Sequence, residues 1–154
     1  LPHNALTAET IFMSKLKPKS DREKTVEKSD LEVIRSWYKA RNEGIFIDEL
    51  FAPDVVWEVA EGFPHGGIYN GSRAVIEDFF PLLAADFQFL RADLSELLDA
   101  GSLIVGVGDY NGQTKSTKRI IAAPFVHLWR VKNQRIVWFR NYTDTKLFAD
   151  ALGE

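Results

Sequence analysis

"KRIIAAPFVHLWRVKNQRIVWFRNYTD", residues 118–144, joins two runs of β-branched and aromatic residues through the short polar link "KNQ". Runs of this composition, bounded by turn residues, read as neighbouring antiparallel strands. Upstream, "QFLRADLSELLD" (88–99) and "SLIVGVGDYNG" (102–112) have the same character and are set apart by "AG" and "NGQTKST". The C-terminal half is therefore expected to be a meander of four long strands. After Asp144, "TKLFADAL" (145–152) turns to helical spacing, with Asp144 placed to cap that helix or to pair with Arg140.

Working back toward the N-terminus, "SDLEVIRSWYKARNEG" (29–44) offers Ser29 or Asp30 as an N-cap. Leu31, Ile34, Trp37 and Tyr38 follow at helical spacing, and Gly44 is a stop. "IFIDELFAPD" (45–54) reads as a second short helix ended near Pro53, and "VVWEVA" (55–60) as a strand. Gly62, Pro64, Gly66 and Gly67 make an irregular connection. "SRAVIEDFFPLLAADF" (72–87) is a third helix, with Ser72 as a cap and a kink expected at Pro81. Helices first and strands afterwards define an α+β class: a curved antiparallel sheet with three helices packed on one face.

The 154 residues are 45% hydrophobic, enough for the core of one domain, taken as residues 29–154. Residues 17–29 are strongly charged and carry little to bury, and residues 1–28 read as a lead-in. The one methionine, Met13, is a candidate start residue within it. A net charge of −3 argues against nucleic acid or an anionic membrane surface as partner. No apolar run approaches the ~20 residues of a membrane span, so the cytoplasm is the expected compartment. The absence of cysteine removes thiol catalysis and thiolate metal sites. Three scattered histidines lack zinc-site spacing, and no phosphate-loop or Gly-x-Ser-x-Gly pattern occurs, so no cofactor is expected.

The stretches "FAPDVVWEVAEGFPHGGIYNGSRAVIEDFF", "APFVHLWRVKNQRIVWFRNYTD" and "TKLFADAL" resemble the SnoaL-like, ketosteroid-isomerase-like branch of the nuclear-transport-factor-2-like superfamily. The resemblance runs from about Asp30 to Leu152 and implies a cone-shaped sheet with the helices on its concave face. It also implies a homodimer. The fold hosts isomerases, cyclases, dehydratases, epoxide hydrolases and non-catalytic modules, so function rests on the residues. Against the ketosteroid isomerases, the helix tyrosine falls on Trp37, the proton-moving aspartate on Val59 and the oxygen-binding aspartate on Val126. Against the limonene-epoxide hydrolases, one aspartate is kept as Asp109. The arginine falls on Val107, the second aspartate on Asn141, and the tyrosine and asparagine on Trp57 and Val59.

Setting the strand phase by this resemblance points Trp57, Val59, Val105, Val107, Asp109, Val126, Leu128, Phe139, Asn141 and Thr143 into the cone. Asp109 with Asn141 then forms the constellation for acid/base work, because an acid enclosed by apolar walls suits proton transfer. The bland alternative is a hydrated Asp109 in turn chemistry before Asn111-Gly112. His127 is a second catalytic candidate, although strict alternation turns it away from the pocket with Trp129 unless a bulge intervenes. His65 is expected either at the pocket mouth or as a solvated loop residue. Phe125, Trp129 and Trp138 are expected on the outer face, as a homodimer surface.

The candidate site is therefore catalytic Asp109 and His127, with a pocket lined by Trp37, Trp57, Val59, Val107, Val126, Phe139 and Asn141. Two functions follow. One is a cofactor-free isomerase, cyclase or hydrolase acting on a small apolar metabolite. The other is a ligand-binding or dimerisation module that has lost the catalytic set.

Overall fold

The computed structural model describes residues 27–154. His3, Met13 and nearly all of the charged lead-in lie outside the described residues. Helix α1, Asp30–Asn42, starts at a capping box: Ser29 Oγ accepts from Glu32 N, and Glu32 Oε2 accepts from Ser29 N at 2.8 Å. Val33, Ile34, Trp37 and Tyr38 are buried along one face, as their spacing requires. Gly44, at φ +72°, lets the chain leave the helix through a left-handed turn.

The second helix expected over 45–54 shrinks to one 3-10 turn, Asp48–Leu50. Strand β1, Phe51–Val59, begins at once, and its register shifts between Phe51 and Val56, where Pro53 and Asp54 face solvent. Proline brings no N–H to a ladder and settles at such an irregularity instead of ending a helix. β2, Gly67–Asn70, pairs with β1. A π-helical segment, Ala74–Phe79, then feeds α2, Phe80–Asp86, with Pro81 in its first turn. The widened turn makes room for the ring where a regular helix would clash.

Four long strands follow: β3 (Phe87–Asp99), β4 (Ile104–Thr114), β5 (Ile120–Lys132) and β6 (Arg135–Thr143), then helix α3, Thr145–Leu152. Asp144 caps α3 by accepting from Lys146 N at 3.1 Å, while Arg140 pairs with Glu58. The sheet order is β2-β1-β6-β5-β4-β3, and β1 runs parallel to β6. The sheet is thus mixed and unclosed, where an antiparallel one was expected. The helices cover its concave face, and Trp37, Trp57, Trp129, Phe125, Phe139 and Phe148 fill the space between.

Candidate functional site

The concave face is set by strand alternation, and on two strands the phase is the reverse of the one expected. On β4 the buried residues include Ile104, Gly106, Gly108 and Tyr110, while Asp109 is exposed. On β5 they include Phe125, His127 and Trp129, while Val126 is 37% exposed. Val107 and Val126 face each other on the outer surface and Asp109 lies opposite Pro124, so none of the three lines the interior. The physical reason is volume. A Cβ at Gly106 would stand 2.5 Å from the Tyr38 hydroxyl, so β4 must turn its glycines inward to admit the aromatic groups of α1 and β5.

On β1 and β6 the expected phase matches the burial: Trp57, Val59, Phe139 and Asn141 are all buried. With Trp37 and His127 they line a cavity of about 20 Å3. That is room for a single water molecule. Trp57 stacks on Phe139 with ring centroids 3.8 Å apart. Its indole N–H, like that of Trp129, is buried with no hydrogen-bond partner.

His127 is 1% exposed and held at both nitrogens. The Tyr38 hydroxyl lies 2.7 Å from Nδ1, and the Tyr110 hydroxyl 2.7 Å from Nε2. A neutral imidazole has one donor and one acceptor nitrogen, so one phenol donates to the ring and the other accepts from it. Burial, followed by the nearby Arg41 charge, holds the His127 pKa well below the ordinary histidine value. Burial also pushes the Tyr110 phenol up to about 12, against opposing pulls from Arg41 and Asn141, and moves Tyr38 upward as well. At neutral pH the chain is therefore phenol–imidazole–phenol, all uncharged.

Asn141 Oδ1 accepts from Ala60 N at 2.7 Å, which leaves its NH2 as a donor. Arg41 lies one helical turn after Trp37 and closes the cavity beside Phe80 and Leu83. These same three residues also wall a larger pocket of about 360 Å3 on the outside. His65, at φ +58°, pairs with Asp86 at 2.7 Å beside a separate hollow near α3, away from His127.

Sequence reasoning passed over Tyr38, Tyr110 and Arg41. Tyr38 sits on the apolar face of α1, but the resemblance drew attention to Trp37. Tyr110 shares the phase of Ile104, which faces outward under the alternation expected for β4. Among the described residues no group of three His, Cys, Asp or Glu is placed to hold a metal ion, and no helix is long and apolar enough to cross a membrane.

The family model for the SnoaL-like domain matches residues 34–139. No curated protein matches the sequence. Among solved structures, an NTF2-like protein from Burkholderia thailandensis E264 superposes with a TM-score of 0.77 at 28% identity, covering 82% of this chain and 98% of its own. TerC, co-crystallised with polyporic acid, gives 0.71 at 21% identity, covering 80% and 98%. A protein of ketosteroid isomerase-like fold from Catenulispora acidiphila DSM 44928, in complex with trimethylamine, gives 0.67 at 19%, covering 79% and 92%. The last two likenesses concern the fold alone. With the match over residues 34–139 and this cone of sheet and helices, the chain belongs to the SnoaL-like domain family.

Proposed function

We propose that this protein, acting in the cytoplasm, takes a small apolar molecule into its cone. There His127, with Tyr38 and Tyr110, moves a proton in an isomerisation, cyclisation or hydration that needs no cofactor. The observation that carries this reading is the buried imidazole held between two phenols. A neutral imidazole can accept a proton, and a phenol kept protonated can donate one. The unpartnered Trp57 indole N–H, with the Asn141 NH2 beside Tyr110, supplies donors for a ligand oxygen. Asp109, on the outer face, has no part in the chemistry. Small organic molecules bound to two of the fold neighbours support ligand binding as such. Since the inner cavity has room for one water at most, a ligand reaches His127 only when the wall of Arg41, Phe80 and Leu83 moves aside.

That tight interior also favours a second reading, a non-catalytic module, as do Val59 and Trp57 at positions where the resemblance implies polar catalytic groups. In either reading the protein is a homodimer through the outer face of β4, β5 and β6. Val107, Val126 and Tyr142 lie in one row there, with Val126 and Tyr142 exposed. Phe125 and Trp129, expected on that face, belong to the core.

Native mass spectrometry of freshly purified protein against its denatured spectrum tests the reading. The expected result is a dimer carrying a small molecule, whose turnover is lost in His127→Gln and kept in Asp109→Asn. A bare dimer that binds nothing favours the module, and loss of turnover in Asp109→Asn alone overturns the assignment of His127.

A further inference from the structure

The larger hollow, about 360 Å3, is bounded by the end of α1, helix α2, the start of β3 and the β4–β5 turn. Its volume falls in the range of small-molecule sites. The walls are mainly apolar, with Phe80, Leu83, Phe87 and Leu90 among them, and the rim holds Phe46 and Phe89, whose side chains are about half exposed. Only two charged residues line it, Arg41 and Lys115, and both are cations.

Arg41 is built into this wall. Its Nη1 donates to Leu90 O at 2.8 Å and toward Asn42 Oδ1 at 3.4 Å. Asn42 is itself clamped to the backbone of Ala92 by two hydrogen bonds of 2.9 Å. Among the described residues no carboxylate lies within ion-pairing distance of Arg41. Asp93, whose charge reaches it from β3, is engaged by Arg91 and Asn111. A guanidinium has five N–H donors, and those on Nε and Nη2 have no protein acceptor here. Arg41 is half-buried, so these unpartnered donors stay open to solvent, and partial burial without a counter-ion pulls its pKa below the ordinary arginine value. Lys115 Nζ rests on Ala84 O at 2.9 Å, across the same opening. Asp86, adjacent to Phe87, is paired with His65, while Glu43, adjacent to Gly44, is turned to solvent.

We propose that this outer pocket binds an aromatic carboxylate, with the carboxylate on Arg41, the rings between Phe80, Phe87 and Phe89, and Lys115 as a second cation. A planar carboxylate matches the guanidinium fork, and phenyl walls match flat rings. The proposal goes beyond the chemistry at His127 and stands whether or not that histidine turns anything over.

The test is calorimetric titration of the full chain at low ionic strength with 2-naphthoate and with its uncharged counterpart 2-naphthamide. Saturable binding of naphthoate is expected, about tenfold or more tighter than the amide. Lys115→Gln should weaken naphthoate by about threefold and leave the amide unchanged. Phe89→Ser should weaken both, which locates them in this pocket. Arg41→Gln, accepted only if its circular dichroism matches the parent, should remove the preference for the acid. Equal affinity for acid and amide, no saturable binding of naphthoate, or a preference that survives Arg41→Gln would each overturn the proposal. None of these readouts involves turnover, so failure here leaves the reading of His127 intact.

Discussion

The two faces of β4 and β5 are built from similar apolar material and do different work. Facing inward, Phe125, His127 and Trp129 pack against Gly106, Gly108 and Tyr110 with almost no exposure. Facing outward, Val105, Val107, Val126 and Leu128 stay partly in solvent beside Asp109, Arg130 and Arg140. The difference shows that side-chain volume, more than hydrophobicity, selects the face. The inner layer needs large rings and the glycines that make space for them, and the outer layer takes what remains.

The largest way to break this comparison is to empty the inner face. Trp129→Ala, at a residue with 0% exposure, should cost about 3–5 kcal/mol of unfolding free energy in urea. Val126→Ala, three positions away on the same strand, should cost about 0.5 kcal/mol or less. Comparable losses at both sites would mean that the faces are not distinguished in solution. Overfilling comes next. Gly106→Ala should cost about 1–3 kcal/mol and move the Tyr38 ring off His127, seen as a changed near-ultraviolet circular dichroism. A neutral outcome there would show that the contact of α1 with β4 is loose. The smallest effects belong to the outer face: like Val126→Ala, Arg140→Ala, which breaks an ion pair of 3.4 Å with Glu58 in partly exposed surroundings, should change stability by no more than about 0–1 kcal/mol.

Much of the fold was legible because its signals are local. Ser29 and Glu32 announce the start of α1, Asp144 the start of α3, and the aromatic and β-branched runs the strands. The parallel pairing of β1 with β6 was not, since it joins segments about 80 positions apart in sequence and leaves no local mark. The site was half legible. Trp57, Val59, Phe139 and Asn141 sit where the alternation of their strands placed them. On β4 and β5 both phases are apolar, so periodicity alone could not choose between them. Two clues were present: Pro124 and Arg130 share the phase of Val126, and an arginine in that phase argues for solvent. The meaning of Gly106 becomes visible only with Tyr38, 68 positions earlier, folded against it.

The inward histidine also links the site to pH. An imidazole neutral in the folded protein gains its proton on unfolding, so below about pH 6.5 the unfolded chain binds more protons. The contribution of His127 to stability is therefore full above that value and is lost as pH falls toward its depressed folded pKa, by at most about 1.4 kcal/mol per pH unit.

The most direct measurement is a long-range 1H–15N spectrum of the imidazole nitrogens, followed from pH 8 down to the onset of acid unfolding. The account predicts that His127 keeps one protonated and one bare nitrogen throughout, with no titration near pH 6.5. A His127 signal that titrates like a free imidazole near pH 6.5 would contradict the buried Tyr38–His127–Tyr110 chain, and with it the proposed chemistry of the cone.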